Sequence, residues 1–352
     1  MTAFDHPVLS AWVDDAETGM RMGWDAELAA MLRFEIALAA TQSEMGLIPA
    51  DAADALRRDL DGFRPDMDGL RRGTARDGVV VPALIAQMRE ATGAAGRHLH
   101  HGATSQDVID TALMLCLADL LPRFAERLGD LEDRLAALSD RWGDRPLMAV
   151  TRMRDALPIT VADRIAAWSS GVRVAREQVS RVRAEDMAVQ LAGPVGTLGR
   201  FGDDGPPLRA ALAARLDLRD PGGAWHTERG RLCRVGSALS VCCAALGKIG
   251  ADIGSMAQDG TDAVQLDGGA SSSMAHKVNP VDAELLIALA LHAAAQNGVL
   301  GAAALHGSER SGPAWTLEWL ALPPLVRTTG GALRATERLL AAIRRMGPRA
   351  PD

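Results

Sequence analysis

The sequence is poor in aromatic residues and contains no tyrosine. Phe and Trp make up only 3% of its 352 residues, so a core must be filled mainly by Leu, Val, Ile, Met and Ala. Strands favour β-branched and aromatic residues, whereas Ala and Leu are strong helix formers. The composition therefore favours an all-α fold, and the 48% of hydrophobic residues excludes a disordered chain.

Lysine is also scarce, since only Lys248 and Lys277 stand among the 38 basic residues. The formal net charge of −7 argues against nucleic acid or an anionic membrane surface as a partner. An acidic substrate remains open, because a pocket needs only local cations. Where arginine fills almost every cationic role, a lysine inside a motif is informative.

The sequence lacks the usual signs of export and of metal binding. Residues 1–12 hold no basic stretch before an apolar run, and the most apolar stretch, 285–291, is too short to span a bilayer. The cysteines show no CxxC spacing; they are Cys116, Cys233, Cys242 and Cys243. We therefore expect a cytoplasmic protein with reduced, buried thiols, no metal site and no membrane partner.

Apolar residues recur at alternating steps of three and four in two long stretches. One runs from Val161 to Val182 and the other from Leu232 to Met256. This spacing predicts long helices that pack side by side at a shallow angle. A further helix is predicted to begin near Ser105, to break at Pro122 and to resume toward Ser139.

A fourth long helix is predicted after Pro280, and its first half is apolar on every side. The run over 285–291 contains only Leu, Ile and Ala. A helix that is apolar all round must be buried all round, which in a soluble protein indicates the middle of a bundle or of an oligomer.

The shorter helices predicted nearer the start of the chain suggest a separate unit. They cover residues 25–46, 51–60 and 82–92. We therefore predict a small helical domain over 1–96, a long-helix bundle over 97–340 and a short tail over 341–352.

One candidate site is the serine- and glycine-rich loop that leads into the fourth long helix. Asn279 suits the N-cap position and Pro280 the first helical position. Lys277 stands just before this helix start, where the helix dipole also attracts negative charge. Both effects would lower the pKa of a nearby serine hydroxyl such as that of Ser271. A solvated linker before a capped helix explains the same pattern, so spacing leaves both interpretations open.

A second candidate site is the segment HHGATSQD at residues 100–107. Thr104 fits the N-cap and Asp107 the acid of a capping box. The N–H groups of such a helix start, together with the side chains of Ser105 and Gln106, can hold a carboxylate without a cation. The two histidines could act as acid or base near neutral pH. An ordinary helix cap preceded by surface histidines is the alternative.

Three short segments carry arginines, the residue type best suited to bidentate carboxylate recognition. They are 151–155, 225–229 and 309–312, and they include Arg152 and Arg310. In a chain so rich in arginine, any one of these side chains is more often a solvated surface group.

Taken together, these segments resemble the fumarase/aspartase superfamily, whose loop pattern is G-S-S-x-M-P-x-K-x-N. Residues 270–279 read ASSSMAHKVN and depart from the pattern only at the leading Gly and the Pro. Residues 100–107 meet the H-x-G-x-T-S-x-D element. Within the superfamily, residues 102–112, 156–159 and 309–320 resemble the 3-carboxy-cis,cis-muconate cycloisomerases. The likeness extends from about Met31 to Leu325.

The resemblance implies an assembly and a chemistry. It implies a homotetramer whose long helices form a central twenty-helix bundle, with each active site built from three subunits. The substrate would be a small tricarboxylate that reacts through an enolate-like dianion, with no metal or organic cofactor. The C-terminal helical domain of many relatives would be short or absent here.

The resemblance also assigns roles to residues. Proton transfer falls to Ser271. The residues implied to hold the activated carboxylate are Lys277 and Asn279, and those implied to hold another are Thr104, Ser105 and Gln106. The further substrate-binding candidates are His100, Arg152 and Arg310.

The chain departs from the superfamily at the Thr-His-x-Gln element, since residues 151–154 read TRMR. Lyases of the adenylosuccinate type use that histidine to assist a nitrogen leaving group. A lactonisation needs it less, because its nucleophile is an ionised carboxylate, so the departure favours a cycloisomerase. The alternatives are an adenylosuccinate-lyase-like β-eliminase and a non-catalytic helical scaffold.

Overall fold

The computed structural model describes residues 2–258, 260–270, 273–274 and 277–348, and most of them are helical. Within these ranges there are twelve α-helices: α1 (Ser10–Val13), α2 (Ala16–Arg21), α3 (Trp24–Glu44), α4 (Ala50–Asp59), α5 (Met67–Asp77), α6 (Val81–Ala91), α7 (Ser105–Trp142), α8 (Val161–Asp186), α9 (Gly205–Leu216), α10 (Gly230–Met256), α11 (Val281–Ala303) and α12 (Gly312–Ala341). The predicted all-α class is confirmed.

Two small two-stranded antiparallel sheets, which the periodicity did not predict, accompany the helices. Strand β1 (Pro146–Thr151) pairs with β2 (Arg154–Thr160), and β3 (Val264–Leu266) pairs with β4 (Ile343–Met346). The segment over 341–352, predicted as a tail, therefore contains a paired strand. This pairing attaches the end of α12 to the loop that follows α10.

Five long helices, α7, α8, α10, α11 and α12, form the bundle. α10 packs against α8, α11 and α12, while α7 packs against α8. Every apolar position counted in the predicted seams of α8 and α10 is buried. The three-and-four spacing therefore placed both helices and their inward faces correctly.

The prediction that Pro122 breaks a helix is wrong. α7 continues through this residue as one helix of 38 residues. Proline removes one backbone hydrogen bond and crowds the preceding turn. Leu120, Leu121 and Phe124 are almost completely buried around it, and we attribute the continuity to this packing, which offsets the local cost.

The start of α11 also differs from the prediction, by one residue. The helix begins at Val281 with Pro280 as its N-cap, and the N–H of Asn279 donates to the carbonyl of Gly269 at 2.8 Å. The expectation of burial on all sides is only partly met within one chain. Ile287 remains 39% exposed and Leu291 69% exposed.

The N-terminal helices lie directly against the bundle. α3 packs on α7 and α9, while α1 and α2 pack on α12. Buried side chains from both parts belong to one continuous hydrophobic core. The predicted helices before residue 96 correspond to α3, α4 and α6, whereas α1, α2 and α5 were missed. The domain boundary at residue 96 stays a prediction.

By length and composition alone, α10 and α11 could each cross a membrane. The core helix of a soluble bundle has the same properties, so this is weak evidence for a membrane protein. α10 is mostly covered by its neighbours, whereas α11 is mostly uncovered in the single chain. The absence of a membrane partner and the cytoplasmic location stay predictions.

Candidate active site

The start of α7 has the predicted capping box. The Asp107 carboxylate accepts the N–H of Thr104 at 3.0 Å. The turn before it needs glycine at position 102, where φ is +73° and a Cβ atom would lie 2.2 Å from Cζ of Phe201. This close approach holds the segment that carries Thr104 against the loop that carries Phe201.

Arg310, which precedes α12, lies on this helix start. Its Nε donates to Oε1 of Gln106 at 3.0 Å, and its Nη2 donates to Oγ1 of Thr104 at 3.2 Å and to the carbonyl of Pro194 at 3.3 Å. Arg310 is exposed, so its guanidinium also faces solvent. The structure therefore brings together residues that are 206 positions apart in the sequence.

The backbone at this helix start supplies further donors. The first N–H groups of an α-helix have no intrahelical acceptor, and among the described residues none accepts from the N–H groups of Ser105 and Gln106. Thr104, Ser105, Gln106 and Arg310 together form what we call the carboxylate platform. It combines a guanidinium, a hydroxyl and a helix N-terminus, all of which favour an anion.

A buried layer beneath the platform holds it in place. Besides Thr104, the Asp107 carboxylate binds the N–H groups of Ala192 and Gly193 at 3.0 Å and Nε2 of His226 at 2.9 Å. Burial raises the pKa of Asp107, and the hydrogen bond from His226 works against this rise. Asp107 thus ties α7 to the glycine-rich loop over 191–202 and to the turn before α10.

Arg229 is part of this layer and not a surface group. Its guanidinium binds Asp110 at 2.6 and 3.1 Å and Glu318 at 2.6 and 2.7 Å. Trp315 donates its Nε1 to Asp110 at 3.2 Å. These contacts occupy the guanidinium, so Arg229 is not available to a substrate. Segment 225–229, singled out in the sequence for carboxylate binding, therefore supports the platform through the buried layer.

His100 lies one turn before the platform and contacts a residue that sequence reasoning missed. Its Nδ1 is 2.6 Å from Oε1 of Glu35, and its backbone N–H donates to Oε2 of the same carboxylate at 3.0 Å. Glu35 stands on α3 within an apolar helix. The available signal in the sequence was an acidic residue within a mainly apolar stretch, but no spacing rule links Glu35 to His100.

The loop before α11 folds back on itself. Ala270 and Val278 form an antiparallel bridge, and the N–H of Lys277 donates to the carbonyl of Met274 at 3.1 Å. A Cβ atom at Gly269 would lie 1.8 Å from the carbonyl oxygen of Asn279, so only glycine fits there. Lys277 is exposed. Ser271, the predicted proton-transfer residue, lies outside the described residues.

Within one chain this loop does not meet the carboxylate platform. α11 runs between Lys277 and Arg310, and its 23 residues span about 35 Å. Arg152 is likewise remote, because it lies at the exposed tip of the β1–β2 hairpin, beyond the far end of α7. Arg145, at the base of that hairpin, donates to the carbonyl of Met346 at 3.4 Å, so the hairpin and β4 occupy the same end of the bundle.

A separate cavity of about 720 Å³ lies between α5 and the bundle helices α7 and α12. Its walls are mainly apolar and include Trp24, Leu70 and Trp319, and Glu27 and Glu318 also line it. Burial raises the pKa of Glu27. No predicted site residue among the described ones lines this cavity, so it is distinct from the platform.

Metal-binding side chains are not clustered in the part of the chain that the structure describes. There, no group of three or more His, Cys, Asp or Glu residues is placed to hold an ion. The four cysteines are free, and three of them, Cys116, Cys242 and Cys243, are buried.

Comparison with known proteins decides the family. A family profile described as a lyase matches residues 18–294. The chain belongs to this lyase family, within the fumarase/aspartase superfamily. The resemblance carried by the two motifs is therefore confirmed.

The chain is similar to family members that have different activities. A 3-carboxy-cis,cis-muconate cycloisomerase of Bradyrhizobium diazoefficiens is 34% identical over 339 residues, covering 94% of this chain and 75% of the relative. A nitrosuccinate lyase of Streptomyces davaonensis is 35% identical over 340 residues, covering 90% and 70%. The crystal structure of a 3-carboxy-cis,cis-muconate lactonizing enzyme from Pseudomonas putida superimposes with a TM-score of 0.91 at 31% identity, covering 97% and 77%.

Proposed function

We propose that this chain interconverts 3-carboxy-cis,cis-muconate and 4-carboxymuconolactone, a step in the breakdown of protocatechuate. The observation that carries the proposal is the 34% identity, along 94% of the chain, to the 3-carboxy-cis,cis-muconate cycloisomerase of Bradyrhizobium diazoefficiens. The fold agreement with the lactonizing enzyme of Pseudomonas putida supports it. The likeness to a nitrosuccinate lyase makes the choice of substrate the first thing to test.

The proposed reaction moves one proton and forms one C–O bond. In the lactonising direction, a substrate carboxylate adds to a carbon of the diene, and the π electrons shift toward the neighbouring carboxylate to give an enolate-like dianion. A general acid then delivers a proton to the α-carbon. In reverse, a base removes that proton and the C–O bond breaks. Stabilising the dianion relative to the ground state is the main requirement.

The platform residues suit one part of this task. The Arg310 guanidinium, the Thr104 hydroxyl and the N–H groups of Ser105 and Gln106 would hold one carboxylate of the substrate. These donors are fixed by the buried layer beneath them, so little reorganisation is needed when charge develops. Arg152, at its exposed hairpin tip, is proposed only as a substrate contact supplied to a site on another copy of the chain.

The other part of the proposal concerns the loop before α11. Ser271 would transfer the proton, while Lys277 and Asn279 would hold the carboxylate that gains charge. No metal or organic cofactor enters the proposed reaction. Since α11, about 35 Å long, separates this loop from the segment that carries Arg310 in its own chain, the loop would complete the site of another copy.

This separation leads us to propose the assembly. A homotetramer with a twenty-helix core, in which three subunits share each site, would bring opposite ends of antiparallel helices together. The uncovered apolar side chains support it, since Val241 on α10 and Ile287 and Leu291 on α11 are exposed in the single chain. Burying them between copies would remove this apolar surface from water.

The direct test uses the purified protein and 3-carboxy-cis,cis-muconate, followed by its loss of absorbance. We expect turnover with this substrate, and none with nitrosuccinate or adenylosuccinate, whose elimination would release fumarate. Fumarate release from either without muconate turnover would contradict the proposal. A folded protein inactive on all three would favour the scaffold alternative.

Variants test the residue roles. Ser271→Ala should lower kcat at least ~100-fold, the scale of removing a general acid or base, whereas Ser273→Ala, at a variable position of the same motif, serves as the matched control. Mixing the Ser271→Ala and Arg310→Ala proteins under subunit exchange should, at low substrate concentration, give more activity than the sum of the two variants measured separately. A mixture no more active than that sum, although subunits exchange, would count against a shared site.

A further inference from the structure

Glu35 is a buried carboxylate whose two oxygens both contact His100. Its side chain is 1% exposed, one oxygen accepts the backbone N–H of His100 at 3.0 Å, and the other lies 2.6 Å from Nδ1 of the ring. An isolated buried charge is costly, and an apolar residue of similar size would fill the space with less penalty. The pairing therefore does more than fill the core.

The contact also determines which edge of the imidazole is available. Because Nδ1 faces a carboxylate, it carries a proton, and Nε2 lies on the opposite side of the ring. Nε2 has no partner among the described residues, and the side chain is 15% exposed. The backbone of His100 is in the left-handed region, with φ at +60°. Glu35 binds this strained backbone and the ring together, so it fixes the orientation of both.

The charges around His100 come from three elements. Burial by itself lowers the pKa of His100, but Glu35 on α3 raises it, Asp107 on α7 adds to the rise, and Arg89 on α6 opposes it. The net effect is a pKa above the usual value for histidine. The ring is therefore cationic over a wider pH range than a free histidine would be.

We propose that Glu35 is a positioning residue that holds His100 with its Nε2–H directed outward, as a charged donor for a second carboxylate of the substrate. This inference rests on the proposed function. Arg310 on the platform would take one carboxylate, and His100, one turn earlier in the chain, would take its neighbour. The ring binds and orients, and no proton transfer is assigned to it.

The pH dependence follows from the sign of the shift. The cationic form of His100 is complete below its pKa and is lost as the pH rises through the folded-state value. Substrate affinity should therefore weaken on the alkaline side. In Glu35→Gln the carboxylate that raises the pKa of His100 is gone, while burial and Arg89 still lower it. The variant should therefore lose the cationic form, and with it substrate affinity, at a lower pH.

The test is calorimetric binding of propane-1,2,3-tricarboxylate, together with KM and kcat, between pH 6 and pH 9. On the alkaline side of this range we expect Glu35→Gln to raise Kd and KM at least about tenfold, the scale of one charge-assisted hydrogen bond, with kcat changed far less. The difference should shrink toward pH 6. Glu90→Gln, which neutralises an exposed acid on α6, is the matched control and should behave like the wild type.

A Glu35→Gln protein with the wild-type pH profile of Kd would overturn the inference. Should that variant fail to fold, His100→Gln carries the test, because it should bind weakly with an affinity that no longer falls between pH 6 and pH 9. A wild-type pH profile in His100→Gln would equally overturn it. If tricarboxylate binding depends on Glu35 but muconate is not turned over, the proposed reaction fails and the positioning role stands.

Discussion

Arg229 offers a quantitative test of the layer beneath the platform. Replacing it by Met keeps a chain of similar length but takes the arginine cation from Asp110 and Glu318, whose side chains are only 1% and 4% exposed. Asp110 keeps the N–H of Trp315 at 3.2 Å, and Glu318 keeps the contact with Nε2 of His306 at 3.3 Å. Removing one partner from a buried ionic cluster costs about 3–5 kcal/mol, because the remaining charges lose their counter-ion away from water. Two carboxylates are affected here, so we expect Arg229→Met to lose at least the lower figure.

The assay is urea unfolding at fixed protein concentration, since oligomers unfold in a concentration-dependent way. The matched control is Arg181→Met, which breaks a solvent-exposed pair with Glu185 and should cost at most about 1 kcal/mol. Replacing the whole cluster, as Arg229→Met with Asp110→Leu and Glu318→Met, should recover much of the loss. A single variant as stable as the control, or a triple variant no better than the single one, would refute this reasoning.

Three further predictions follow from the same geometry. Gly102→Ala should destabilise the protein by roughly 1–3 kcal/mol in urea unfolding, because it combines a positive φ with overlap at Phe201; Phe201→Leu should relieve only the overlap, and an unchanged midpoint for Gly102→Ala would contradict us. Arg310→Gln should raise KM about tenfold or more, with a smaller effect on kcat in steady-state assays, and an unchanged KM would remove it from the platform. Asp252 accepts from Trp168 at 2.8 Å and pairs with Lys248; burial raises its pKa, but these partners outweigh it and the net pKa is lowered. The ionised form of Asp252 therefore stabilises the fold near neutral pH, and this effect is lost as the pH falls through the folded-state pKa. Asp252→Asn should destabilise the protein near pH 7 and become as stable as the wild type in acid. A difference in stability that does not change with pH would contradict this.

Helix identity was readable from the sequence wherever local periodicity was strong. The seams of α8 and α10 repeat over many turns, and each apolar position in them is buried. Helix boundaries were predicted less reliably, because Pro122 lies inside α7 and the N-cap of α11 is Pro280, not Asn279. At Pro122, buried contacts from elsewhere in the fold outweighed the local preference.

The candidate site was readable only in part. Capping rules placed Thr104 and Asp107 correctly, since they concern neighbours along one helix start. Arg310 was singled out with several other arginines, and only the packing of α12 beside α7 showed that it meets Gln106. Arg229 looked similar in the sequence but is buried between Asp110 and Glu318.

The sequence by itself determined the helical class, the family and the short motifs, because these depend on periodicity and on residues close together in the chain. The tertiary structure decided which distant side chains meet, as for Glu35 with His100, and which motifs one chain keeps apart, as for Lys277 and Arg310 at opposite ends of α11. The physical reason is that contacts between remote segments follow from the packing of whole helices, to which many weak interactions contribute together.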